Sequence, residues 1–169
     1  DLEEAQATVR FTADDVTYVR EMFVSVPDRV LVIHIAASKP GMISLRASLD
    51  GRDDYYDDNR PCIDYENMIL CTGGTGSRDG IFFAAALTGT AEGGSIRTVG
   101  GSLVIANANE ATLLLSVGTS FYHGESYEDA AKLDASYAAD CSYEELLYRH
   151  LSDYQEKFRR VRFTLQIGR

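Results

Sequence analysis

Residues 16–37 read VTYVREMFVSVPDRVLVIHIAA, and this stretch decides the fold. Val16–Ser25 and Arg29–Ala37 are two runs dense in Val, Ile, Tyr and Phe, the residue types that suit a pleated, packed surface. Val26-Pro27-Asp28 joins them, and Pro27, which fixes φ and donates no hydrogen bond, belongs in a connection and not in a ladder. Alternation within the second run is poor. Val30, Val32 and Ala36 fall on one face, and Leu31, Ile33 and Ile35 on the other. A strand that is apolar on both faces has to be covered on both, so the pair is expected inside a layered structure.

Further strands are expected on either side. Before the pair, Glu4–Thr12 alternates, with Ala5, Ala7, Val9 and Phe11 on one face, and Asp14-Asp15 then turns the chain. After it, Lys39-Pro40-Gly41 marks a tight turn, and residues 41–50 alternate again through Ile43, Leu45, Ala47 and Leu49. These four strands are expected to form an antiparallel meander. Ile63–Leu70, Ile81–Thr88, Ala91–Val99, Leu103–Ala106 and Ala111–Val117 read as later strands, with Gly100-Gly101 as a hairpin turn. Turn signals about every ten residues, with no helix between them, predict a mainly all-β antiparallel β-sandwich rather than alternating βα units.

The pattern changes after Phe121. Ser126-Tyr127-Glu128-Asp129 starts a helix that Ala130–Ala139 continues, and Ser142-Tyr143-Glu144-Glu145 has the form of a capping box. Tyr143, Leu147, Leu151, Tyr154 and Phe158 then recur at helical spacing as one apolar stripe, before a last alternating run, Val161–Ile167. The expected division is a sandwich over residues 1–122 and helices with a short strand over residues 123–169.

Composition bounds the function. The chain has 169 residues, a hydrophobic content of 45% and a net charge of −10 from 16 basic and 26 acidic residues. That charge repels phosphate backbones, so nucleic acid is not an expected partner. The basic residues Arg149, Lys157, Arg159, Arg160 and Arg162 are interrupted by acids and read as a solvated or domain-facing helix end. No apolar run approaches the roughly 20 residues of a membrane span, so no membrane partner is expected. Cys62, Cys71 and Cys141 show no metal spacing and read as reduced thiols rather than a zinc site or a disulfide framework. The start Asp1-Leu2-Glu3-Glu4 shows no initiator methionine or leader and reads as a cut within a longer polypeptide; it leaves the compartment unassigned.

No catalytic constellation is visible. Gly73-Gly74-Thr75-Gly76-Ser77 lacks the lysine and the following helix of a P-loop and reads as a hairpin turn. The loop Asp50–Asn59 sets Asp53, Asp54, Asp57 and Asp58 around Tyr55 and Tyr56, with oxygens for a cation and ring faces for a sugar. The calcium-loop spacing is absent, and a solvated loop is the plainer reading. His34 sits in the apolar strand and reads as a hydrogen-bonded core residue, and His150 as packing or capping. His123 ends a strand after Thr119-Ser120-Phe121-Tyr122, the best place for a functional imidazole, but no triad order accompanies it. Tyr55, Tyr56, Asp57 and His123 are the candidate sugar contacts. No catalytic residue, metal ligand or cofactor is assigned.

Taken in order, Asp1-Leu2, Ala5, Val9 and Phe11, then VTYVREMFVSVPDRV (residues 16–30), Lys39-Pro40-Gly41, Ala111–Leu115 with Thr119-Ser120-Phe121, and His150-Leu151-Ser152-Asp153-Tyr154-Gln155-Glu156-Lys157-Phe158-Arg159-Arg160-Val161 resemble the N-terminal β-sandwich of glycoside hydrolase family 95, the α-L-fucosidase and α-L-galactosidase family. The resemblance implies a supersandwich-like fold, linker helices and then an (α/α)6 catalytic barrel acting by inversion on a fucosylated glycan. It also implies that the barrel and a segment before Asp1 lie outside this chain, that the chain alone is inactive, and that its partner is its own catalytic domain. The stripe from Tyr143 to Phe158 would then pack on the sandwich and on that domain. The alternative is a free-standing carbohydrate-binding module using the Asp50–Asn59 loop.

Overall fold

Asp14 and Asp15 both adopt positive φ, 49° and 58°, which closes a two-residue turn whose twist matches the strands that it joins. Around it the chain forms β1 (Ala7–Ala13) and β2 (Val16–Ser25), and the Pro27 connection returns it as β3 (Val30–Ala37). The computed structural model describes residues 1–50, 62–75 and 80–162. The later strands are β4 (Ile43–Ser48), β5 (Ile63–Tyr65), β6 (Met68–Gly74), β7 (Phe82–Glu92), β8 (Ser95–Thr98), β9 (Ser102–Ala108) and β10 (Glu110–Thr119). They make two antiparallel sheets: seven strands in the order β1-β2-β3-β10-β7-β6-β5, and three in the order β4-β9-β8.

Both faces of β3 are covered, as its composition requires. On one face Ile35 joins Ile43, Ile69, Leu87, Leu103, Ile105 and Leu113 in the core between the sheets. On the other, Val30 and Val32 pack with Phe23, Leu114, Ala138 and Leu146 beneath a helical layer. That layer contains α1 (Ser120–His123), a 3-10 turn (Gly124–Ser126), α2 (Tyr127–Ala139) and α3 (Tyr143–Phe158). The result is three layers: small sheet, large sheet, helices.

Four expectations need correction. The meander has three strands, because β4 leaves the first sheet to pair with β9; its alternating face is compatible with either sheet, and period alone does not choose between them. Residues 63–70 are a hairpin, with Glu66 at positive φ between β5 and β6. The register Ile63↔Leu70 then places Cys62 opposite Cys71, and these two form a disulfide across a separation of nine residues. Reading 63–70 as one strand hid that pairing; Cys141 alone is free. Lastly, the run 91–99 is divided at Gly93-Gly94, both at positive φ, into the end of β7 and all of β8. The expected Gly100-Gly101 turn is present between β8 and β9. Of the expected strand at 161–167 all but Val161 and Arg162, and of the Gly73–Ser77 turn residues 76 and 77, lie outside the described residues.

Candidate functional site

Register builds the most polar site. Glu21 of β2 faces His34 of β3, His34 faces Thr112 of β10, and Thr112 faces Thr90 of β7. Four strands thus line up one polar row on the helix side of the large sheet. Two further carboxylates stand at its end, since Glu110 lies opposite Glu92.

Helix α3 closes over this row. The side chain of Ser142 accepts from the Glu145 backbone N–H, and the Glu145 carboxylate accepts from the Ser142 N–H, which fixes the first turn of the helix. That turn lays Tyr143 flat on His34, with ring centroids 3.9 Å apart and planes 14° apart. The Tyr143 hydroxyl donates to Glu21 Oε2 at 3.0 Å and accepts from Gln6 Nε2 at 3.3 Å. His34 Nδ1 meets Thr112 Oγ1 at 3.0 Å, and Nε2 lies 3.6 Å from Glu110 Oε2. Beside these groups is a cleft of about 180 Å³ lined also by Thr90, Glu92, Ser142 and Glu144.

The electrostatics are those of a buried imidazole among acids. Burial pushes the His34 pKa below its ordinary value; the charges of Glu110, Glu21 and Glu144 act the other way without cancelling it. Burial, with the bond to Glu21, raises the Tyr143 pKa well above that of a free phenol. The cluster therefore holds a neutral histidine against a protonated tyrosine and orients both. It can bind a polar group, but among the described residues no three His, Cys, Asp or Glu side chains are placed to hold a metal ion.

A second ionic cluster ties the helices to the β2–β3 connection. Arg29, at positive φ, makes two bonds of 2.7 and 2.5 Å to Asp134 of α2. Arg149 of α3 pairs with Asp28 at 2.7 Å, and Ser25 donates to the same carboxylate. Of the interrupted basic run, Lys157 pairs with Asp153 within α3, and Arg160, just past the end of the helix, pairs with Glu156.

The candidate sugar contacts are not brought together among the described residues. Tyr55, Tyr56 and Asp57 lie outside them. His123 is exposed at the end of α1, beside the exposed rings of Phe121 and Tyr122 (71% and 80%), which meet edge to face at 4.9 Å. Of the helical stripe, Tyr143 and Leu147 pack against the sheet core, the Tyr154 hydroxyl donates to the Leu2 carbonyl, Leu151 is half-buried and Phe158 is exposed. The deepest residues of α3 are Leu146 and His150. His150 stacks on Phe23 at 4.7 Å and donates from Nε2 to the Glu4 carbonyl at 2.8 Å. The sequence reading passed over the Glu21–His34–Glu110–Tyr143 cluster. Its one signal was a histidine sharing a strand face with Val30 and Val32.

Comparison with known proteins places this geometry in context. A family model described as glycosyl hydrolase family 65, N-terminal domain, matches residues 1–124. Alpha-L-fucosidase 2 of Arabidopsis thaliana is 31% identical over 197 aligned residues, which cover 98% of this chain and 23% of that protein. A putative kojibiose phosphorylase from the human microbiome superposes with a TM-score of 0.65 at 15% identity, over 91% of this chain and 23% of the other, a likeness of fold. The chain thus spans about a quarter of the length of these relatives.

Proposed function

This chain belongs to the family of glycosyl hydrolase family 65 N-terminal domains, and we propose that it is the non-catalytic sandwich of an enzyme resembling an inverting α-L-fucosidase of family 95. The observation that carries this reading is the 31% identity to an alpha-L-fucosidase along 98% of the chain but only 23% of the relative. The remaining length of such a protein supplies the (α/α)6 barrel. There an acid and a base stand far enough apart to hold a water, roughly 6.5–9.5 Å for inversion. The sandwich, residues 1–122, and the linker helices beyond it support that barrel. Phe158 and the outer side of α3 face it, and the corner formed by Phe121, Tyr122 and His123 reaches the rim of the sugar site.

The exposed rings at that corner support the assignment, because aromatic side chains left in water are characteristic of surfaces that meet a partner or a sugar face. The test compares this 169-residue chain with the longer polypeptide that joins it to a catalytic barrel, using a fucosylated oligosaccharide as substrate. Turnover is expected from the longer polypeptide alone. In it, Tyr122→Ala is expected to raise KM about tenfold with little change in kcat. Hydrolysis of a fucoside by the 169-residue chain alone would overturn the reading.

A further inference from the structure

Strand β5 has three residues, all of them exposed, yet it stands where the three layers meet at one edge of the large sheet. Asp64 serves the small sheet: its carboxylate accepts from the backbone N–H groups of Gly100 and Gly101 at 3.0 and 2.8 Å. Those two glycines, both at positive φ, form the turn between β8 and β9. Tyr65 serves the helical layer, with Lys132 Nζ of α2 lying 5.0 Å from the centre of its ring. Beside them the Thr98 hydroxyl donates to the Glu66 carbonyl at 3.4 Å.

None of these contacts is strong. β5 makes three pairs with β6, and among the described residues no strand pairs with its outer edge. Short edge pairings fray, and ionic or cation–π contacts between exposed groups contribute little. Glu66, at φ 50°, adds strain to the turn that follows. What remains is covalent. Cys62 and Cys71 continue the ladder one position beyond Ile63↔Leu70, and their disulfide fastens the start of β5 to β6. Cys71 is 8% exposed and sits in the core between the sheets with Ile69, Leu87 and Leu103. Cys62 packs on the rim of that core and is half-buried, within reach of a small dithiol. The β8–β9 turn rests on its main chain: a Cβ on Gly101 would lie 2.7 Å from the Cys62 carbonyl oxygen.

We propose that the Cys62–Cys71 disulfide is a redox-operated strap. Closed, it holds β5 across the edge of the sandwich; opened, it releases β5 from both neighbouring layers and leaves the rest of the fold intact. Opening is thiol–disulfide exchange with a dithiol. One thiolate of the reductant attacks Cys62 Sγ, the Cys62–Cys71 bond breaks, and Cys71 leaves as a thiolate. The second thiol of the reductant then displaces Cys62, so the reductant ends as a disulfide and its two protons end on the two cysteines. Disulfides persist where thiols are oxidised and open where they are kept reduced, so the strap responds to the compartment around the chain. It is independent of the proposed function.

Amide hydrogen exchange at Gly100, Gly101 and residues 63–66 tests it. Dithiothreitol added to the 169-residue chain is expected to speed exchange at these amides about tenfold or more, with β3, β10 and α2 unchanged. Replacing the reductant with oxidised glutathione should restore the slow rates. The double variant Cys62→Ser, Cys71→Ser should exchange at the fast rates with or without dithiothreitol, with β10 and α2 as the internal control for folding. Asp64→Ala with the disulfide intact should free Gly100 and Gly101 alone. Equal exchange in the oxidised and reduced chains would overturn the proposal. So would acceleration spread through β3 and β10, which would make the bridge a support of the whole fold, and so would unchanged rates at Gly100 and Gly101 in Asp64→Ala, which would remove the link between β5 and the small sheet.

Discussion

Helices α2 and α3 lie on the same face of the same sheet but are held there by opposite means. Helix α3 approaches with large side chains: Leu146 is fully buried, Tyr143 and His150 stack on His34 and Phe23, and Leu147 packs beside them. Helix α2 approaches with almost none. Its buried residues are Ala131, Ala135 and Ala138 with Asp134; Ala131 and Ala135 cluster with Ala84 and Ala86 of β7 and with Met68 and Leu70 of β6, and Ala138 packs beside Leu146. At its start the backbone comes so near that a Cβ on Gly118 would lie 2.0 Å from the Tyr127 carbonyl oxygen. A contact made by large apolar groups loses energy when they are cut back; a contact made by small groups is lost when anything is added.

Four experiments can break or sharpen that contrast. The largest effect is expected from Gly118→Ala, which has no room beneath α2. A loss of about 4 kcal/mol, read from the urea midpoint, is expected because the atom in the way is backbone. A loss under about 1 kcal/mol would mean that α2 can move away freely, and the contrast would fail. Next is Leu146→Ala in α3, expected to cost about 3 kcal/mol through lost burial and the cavity left behind. A near-neutral result would show that the apolar stripe is not what holds α3.

Smaller is Ser142→Ala. It removes half of the capping box and should cost about 1 kcal/mol, with faster exchange confined to the first turn of α3. The corresponding change at Ser126 should do less, because that side chain makes no capping bond to α2. The smallest effect is a pH dependence. The folded state holds His34 neutral, so the unfolded chain takes up its proton at a higher pH than the folded one. Stability from this group is complete above the ordinary histidine value near 6.5 and is lost as pH falls toward the lower folded value. Melting temperature measured from pH 7.5 to 5.5 should therefore fall, and fall less in His34→Phe. Equal slopes in the two proteins would remove the histidine from that role.

The same contrast explains what the sequence disclosed. Helix α3 was legible because its capping box and its stripe are local patterns, written between Ser142 and Phe158. Helix α2 was legible as a helix but not as a buried one, since alanine has the same helical preference whether it faces water or a strand. In the site, His34 stood out as a histidine on an apolar face. Its partners Glu21, Thr112, Glu110 and Tyr143 come from three other elements and carry no mark of their own. The disulfide was missed for a related reason, because one turn at Glu66 decides whether Cys62 and Cys71 face each other.

The sequence by itself determined the first three strands, the two long helices and the need of β3 for cover on both faces, because period, turn chemistry and caps act between near neighbours. Only the tertiary structure decided which layer covers each face, that β4 joins the second sheet, and that a histidine, a tyrosine and several carboxylates share one cleft. Those outcomes depend on pairing between residues far apart in the chain, where one register among several equally well-patterned alternatives wins by what it buries against the rest.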